Sequence, residues 1–263
     1  MSYLLAGGCS FTDQHYKSVH VNHDTTYEKW PRILATRLGI DHVVNTAISG
    51  GSNDMMFKAV TDAIVKKTPR VVFVLMTGWD RVSVHNFSIN FNTLVGTRFD
   101  SNAPKWLSRQ KNIISFCDAV LQHTFSVDNL INNTMRDLFL LQQMCDRKNV
   151  DLIVGSALWP FAAGSWSFSD DVNNQFSKLH DPNTFKRAAW AKSMINNMYF
   201  DKIDHKRVTV GWPFFEELGG KCFWSTMQPE DFIHPDLDQH PNGKAHQKFA
   251  DIFYNAYRDN YFR

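Results

Sequence analysis

A serine at position 10 stands where the apolar run Tyr3-Leu4-Leu5-Ala6-Gly7-Gly8 breaks into a turn, and near the other end Asp238-Gln239-His240-Pro241-Asn242 sets a carboxylate and an imidazole just ahead of an amphipathic stretch. A serine hydroxyl is a weak nucleophile until a base takes its proton. An imidazole, with an unperturbed pKa of ~6.5, is suited to that task near neutral pH. A carboxylate can hold the ring in the right tautomer and stabilise its charged form. A nucleophile at one end and a base with its orienter at the other is the layout of a small serine hydrolase. A second pair, Asp231 and His234, lies close by, so the base is either His240 with Asp238 or His234 with Asp231, and Asp236 is a further possible orienter. Side chains at i and i+2 of an extended segment share one side, which favours the Asp238–His240 pair sterically. Cys9 beside the serine reads as a small apolar filler at the strand end rather than a nucleophile.

These residues must be carried by a scaffold, and the chain predicts one. Residues 3–8, 42–45, 71–76 and 150–155 read as short strands; Val71-Val72-Phe73-Val74-Leu75-Met76 is apolar throughout, as expected of a strand buried on both faces. Arg207-Val208-Thr209-Val210 reads as a fifth. Between them run helical spacings: Tyr27, Trp30, Ile33, Leu34 and Leu38 with Gly39 as the stop, then Met56, Val60, Ala63 and Ile64 after a cap at Ser52 or Asn53. Further stripes run from Val127 to Cys145, around Ala188–Met198, and through Ala245, Phe249, Ile252, Phe253 and Ala256. Alternating strands and helices imply right-handed crossovers and a parallel sheet covered on both faces. The expectation is one three-layer α/β/α sandwich over residues 1–263, flavodoxin-like, with insertions at about 82–125 and 158–205. Ligands of such sheets sit beyond the carboxyl ends of the strands. Ser10, Gly50 and the residues after Met76 all fall there.

Composition excludes several classes. The 263 residues are 43% hydrophobic and 21% charged, values of a globular chain. A net charge of +2 gives no electrostatic case for nucleic acid. No run of 18 apolar residues is present. The first residues look like a strand rather than a secretion signal, so the cytoplasm is the default location. Cys9, Cys117, Cys145 and Cys222 form no C-x-x-C pair, and free thiols are expected. The alternation of Asp231, His234, Asp236, Asp238 and His240 reads as a solvated acidic loop, not a metal site. His246 is expected to face solvent or pack on the last helix. Neither G-x-x-x-x-G-K-[ST] nor G-x-G-x-x-G occurs, which counts against a nucleotide binder.

Taken in order, the blocks resemble the SGNH/GDSL hydrolase superfamily of esterases, lipases, thioesterases and carbohydrate deacetylases. Gly8-Cys9-Ser10-Phe11 is similar to the G-D-S-[LF] element, with Cys9 for the usual aspartate. Val43-Val44-Asn45-Thr46-Ala47-Ile48-Ser49-Gly50 is close to V-V-N-x-x-I-S-G. The Asp/His pair followed by Pro-Asn and a helix is the last block; Asp231 and His234 have the family's D-x-x-H spacing, but Asp238 and His240 alone lead directly into the final helix. The resemblance implies Ser10 as nucleophile, His240 as base and Asp238 as its orienter. It also implies backbone N–H groups of Ser10 and Gly50 as donors to an oxyanion, with no cofactor and no metal. The third block departs from the pattern: Thr77-Gly78-Trp79-Asp80 has Trp79 where a donor asparagine is usual, so Asn53 is the expected replacement donor, with Trp79 and Arg81 as alternatives. A small-molecule or saccharide ester, first an O-acetyl ester, is the expected substrate, with a catalytically silent binding module as the alternative. Trp159, Phe161, Trp166, Phe168, Trp212, Phe214, Phe215, Phe223 and Trp224 could form a sugar platform or simply an inner core.

Overall fold

The computed structural model describes residues 2–79, 81–84, 87–90, 127–160 and 185–262. At its centre is a four-stranded parallel sheet. Strand β1 (Tyr3–Gly8) lies between β2 (His42–Asn45) and β3 (Val71–Met76). Helix α1 (Trp30–Arg37) links β1 to β2, and α2 (Asn53–Lys66) links β2 to β3. A short antiparallel pair, β4 (Arg81–Val84) and β5 (Phe87–Asn90), follows. Helix α3 (Val127–Lys148) then leads to β6 (Asp151–Ser156), which pairs with β3 and completes the order β2-β1-β3-β6. Helix α4 (Phe185–Ile195) and the helical turn α5 (His205–Val208) come next. The antiparallel ribbon of β7 (Phe232–His234) and β8 (Asp238–Pro241) feeds the last helix, α6 (Gly243–Tyr261).

Alternate side chains of each strand enter different cores. Leu5, Val72, Val74 and Met76 pack with Met56, Val60 and Ile64 of α2 and Ile131, Met135 and Leu138 of α3. Leu4, Ala6, Phe73 and Leu75 pack with Trp30 and Leu34 of α1 and Phe249 and Phe253 of α6. Period-2 alternation in strands that are apolar on both sides therefore produces the three layers. The fold class is the α/β sandwich that the alternation of elements implied. The chain leaves β1 toward β2 on one side and reaches β3 on the other, so the crevice above β1 is a topological switch point.

Two local expectations change, and a third lies largely outside the described residues. Tyr27 lies outside α1, because Pro31 favours a start at Trp30, with Lys29 as the residue before the helix. Arg207–Val210 is not a strand: Asp204 caps the turn by accepting from the Arg207 N–H, and Arg207 ion-pairs with Asp204 and Asp146. Only Thr209 bridges to Val154, with the Val210 N–H on the Val154 carbonyl at 2.7 Å. The insertions expected at 82–125 and 158–205 fall largely on positions 91–126 and 161–184, outside the described residues, as does Cys117. Cys9, Cys145 and Cys222 are buried free thiols.

Candidate active site

The turn after β1 is built by backbone. The Cys9 carbonyl accepts from the N–H groups of Thr12 (2.8 Å) and Asp13 (2.9 Å), which folds the chain back over Gly8. A Cβ on Gly8 would lie 2.2 Å from Thr12 Oγ1 and 3.1 Å from the Leu75 carbonyl, so no larger residue fits beneath the turn. The second block is tied to the first. Asn45 Nδ2 donates to the Thr12 carbonyl at 2.8 Å, and Asp13 accepts from the Ser49 N–H at 3.2 Å and its hydroxyl at 2.6 Å. Ile48 N–H reaches the Gly8 carbonyl at 3.2 Å. Gly50, the next residue after Ser49, takes a φ of +74°, a conformation that glycine reaches without steric strain. Neither the Ser10 N–H nor the Gly50 N–H has a hydrogen-bond acceptor among the described residues.

The candidate base arrives from the other end of the chain. His240 sits on β8, and Asn242 just beyond it caps α6 by accepting from Lys244 N–H and Ala245 N–H. The Asn242 amide also donates to the Glu230 and Phe232 carbonyls, fastening the ribbon to the helix start. His240 Nε2 lies 2.8 Å from Ser10 Oγ, and His240 Nδ1 lies 2.5 Å from Asp238 Oδ1. Asp238 Oδ1 also accepts from the His240 N–H at 3.1 Å. With its side chain 1% exposed, Asp238 is subject to burial that works against its charge. Hydrogen bonds from His240, Ser18 and Tyr16 outweigh that burial and hold its carboxyl well below the usual range.

Sequence patterns missed Tyr16. Its hydroxyl lies 2.9 Å from Asp238 Oδ2 and 2.8 Å from His240 Nδ1, and its ring stacks on the imidazole with centroids 4.1 Å apart. Phe11 lies 5.4 Å from the imidazole at a tilt of 54°. Tyr16 belongs to the coil between β1 and α1, where no periodicity marks a residue as important.

The other candidates are employed elsewhere. His234 Nδ1 accepts from the N–H groups of Asp236 and Leu237, and fully buried Asp231 pairs with Lys248 and accepts from the Gln228 N–H. Trp79 is 1% exposed and meets Phe214 and Phe215 edge-on, so it fills the core. Arg81 reaches the Gly51 carbonyl at 3.4 Å. Asn53 accepts from the Thr77 N–H at 2.9 Å and donates to the Thr77 carbonyl at 3.2 Å, which fixes its amide orientation. One of its two amide hydrogens suffices for that contact. His246, expected at the surface or in packing, is fully buried and accepts from the Trp30 N–H. Burial, together with the nearby Lys29 charge, pushes its pKa well down. Of the aromatics, Phe214, Phe215 and Phe223 are core residues, whereas Phe161, Trp166 and Phe168 lie outside the described residues. Among the described residues no group of three His, Cys, Asp or Glu could hold a metal ion, and no helix is long and apolar enough to cross a membrane.

No family model matches the sequence, and no curated protein aligns with it. Solved structures similar to this chain include TesA, at 16% identity over 98% of this chain and 99% of that one, with a TM-score of 0.42. The psychrotrophic esterase EstA from Pseudoalteromonas sp. aligns at 12% identity over 98% of each chain, TM-score 0.44. A variant of the acetyl xylan esterase Axe2 from Geobacillus stearothermophilus aligns at 13% identity over 97% of this chain and 94% of that one, TM-score 0.45.

Proposed function

We propose that this protein hydrolyses carboxylic esters through an acyl-enzyme formed on Ser10. The observation that carries the reading is the 2.8 Å contact from Ser10 Oγ to an imidazole whose far nitrogen rests on a buried carboxylate. In the first half-reaction Oγ adds to the ester carbonyl while His240 Nε2 takes its proton. The tetrahedral adduct collapses by breaking the bond to the alkoxy oxygen, which leaves with that proton as the alcohol. In the second half-reaction water adds to the acyl carbon, His240 again takes and returns a proton, and the acid departs. Asp238 keeps the Nδ1 proton in place and stabilises the imidazolium formed in each half. The N–H groups of Ser10 and Gly50, with the second amide hydrogen of Asn53, would receive the oxyanion.

A small acyl group such as acetate, carried on a saccharide or another alcohol, is the substrate class we favour. The test is turnover of p-nitrophenyl acetate, p-nitrophenyl hexanoate and an acetylated xylo-oligosaccharide by wild type and Ser10→Ala. Ser10→Ala should stop all cleavage and all labelling by a fluorophosphonate without changing the melting temperature. A folded wild type that neither turns over any ester nor takes the label would instead be a binding module, and undiminished turnover by Ser10→Ala would move the nucleophile elsewhere.

A further inference from the structure

We infer that Tyr16 is a positioning residue that sets the direction of the proton relay from Ser10 through His240. The inference rests on the reading of Ser10 as nucleophile and adds a residue that the Ser10–His240–Asp238 arrangement alone does not contain. Its basis is a triangle of three contacts: Tyr16 Oη to Asp238 Oδ2 at 2.9 Å, Tyr16 Oη to His240 Nδ1 at 2.8 Å, and His240 Nδ1 to Asp238 Oδ1 at 2.5 Å.

A phenol has one proton to give. Burial and the adjacent Asp238 carboxylate keep that proton on Tyr16, whose pKa is pushed far above the ordinary phenol value. Of the groups within reach, which include the Ser18 hydroxyl as well as His240 Nδ1, the carboxylate is the strongest acceptor, so the proton goes to Asp238 Oδ2. The hydroxyl oxygen then faces Nδ1 with a lone pair. Two acceptors, Asp238 Oδ1 and Tyr16 Oη, converge on Nδ1, and only an N–H satisfies both. Nδ1 is therefore the protonated nitrogen, and Nε2 presents its lone pair to Ser10. The hydrogen bond to Oδ2 also fixes the carboxylate plane, since Oδ1 is already held by the His240 N–H at 3.1 Å. The ring adds a second restraint: stacked 25° from parallel, it blocks rotation of the imidazole toward its own side and offers a π face to the cation formed during catalysis.

The test separates hydroxyl from ring. Tyr16→Phe keeps the stack and removes the hydroxyl; Tyr16→Leu removes both. For Tyr16→Phe, kcat on p-nitrophenyl acetate should fall about tenfold, the scale of one lost hydrogen bond, while KM stays within about twofold. For Tyr16→Leu the loss in kcat should reach about a hundredfold. Proton NMR gives a reading that needs no turnover. Without the tyrosine donor Asp238 accepts more strongly from Nδ1–H, and that resonance should move further downfield in Tyr16→Phe. In wild type, nuclear Overhauser contacts should join Nδ1–H to the Tyr16 ring protons, a measurement independent of any variant. An unmoved resonance with unchanged kcat in Tyr16→Phe overturns the inference, as does absence of the wild-type contacts. A wild type that cleaves no ester yet shows the contacts and the downfield shift keeps the clamp and loses the reaction.

Discussion

Replacing Asp238 by asparagine isolates the charge of the proposed orienting residue from its shape. The amide has two orientations, and the structure selects between them. Oδ1 of Asp238 accepts from both the His240 N–H and His240 Nδ1, two donors on one oxygen. If the amide NH2 took that place it would face the backbone N–H donor at 3.1 Å, an unfavourable pairing. The amide oxygen therefore occupies the Oδ1 position, Nδ1–H keeps its acceptor, and the Tyr16 hydroxyl turns to accept from the NH2 and to give its own proton to the neighbouring Ser18 hydroxyl. The tautomer survives and the negative charge is lost. That charge, about 4 Å from the centre of the imidazolium at an effective dielectric near 20, stabilises it by about 4 kcal/mol. A transition state that contains the imidazolium should slow by about 10³-fold, with KM little changed. The assay is single-turnover acylation by p-nitrophenyl acetate at pH 7, alongside the rate of fluorophosphonate labelling and a melting curve. Acylation within threefold of wild type, in a variant that melts like wild type, refutes the electrostatic role given to Asp238. A loss far beyond 10⁴-fold with intact folding would mean that the amide had flipped and the tautomer with it.

Two other perturbations probe neighbouring parts of the site. Asn53→Asp keeps an acceptor for the Thr77 N–H at 2.9 Å but removes both amide hydrogens and sets a carboxylate oxygen against the buried Thr77 carbonyl, so kcat should fall by about 10²–10³-fold and the melting temperature should drop with it; unchanged kcat in steady-state assays excludes Asn53 as an oxyanion donor. Lys29 is 7% exposed, with its Nζ on the Tyr27 hydroxyl at 3.2 Å, and burial lowers its pKa to about 8. The unfolded chain, with an ordinary lysine pKa of about 10.4, binds the proton more tightly, so stability should rise with pH between about 8 and 10.4. Below that window the buried ammonium is a burden, and Lys29→Met should gain about 1–3 kcal/mol at pH 7 and lose the alkaline rise, as read by urea unfolding at several pH values. An unaltered slope between pH 8 and 10 in Lys29→Met would assign that dependence to another group.

The layers of the scaffold were already legible in the order of residues. Runs such as Val71–Met76, apolar on every residue, can be satisfied only between two covered faces, and the helical stripes between them supply the covers. Local chemistry also marked both ends of the site. Gly8 is needed where a Cβ would strike Thr12, and Asn242 is a helix cap whose place just after His240 fixes where the ribbon ends. Folding then selected which of several chemically adequate side chains meet. His240 and His234 each have a carboxylate at usable spacing; the β7–β8 register, pairing His234 with Asp238, gives only His240 the reach to Ser10. Trp79 turns into the core because Phe214 and Phe215 wait there. Arg207–Val210 has the composition of a strand, yet Asp204 and Asp146 hold its start as a helical turn. Tyr16 carries no local signal at all, since its partners are more than 200 positions away. Local patterns record what each segment needs to bury or cap, whereas partners brought from distant segments depend on the path of coil and the register of strands, which only the folded chain sets.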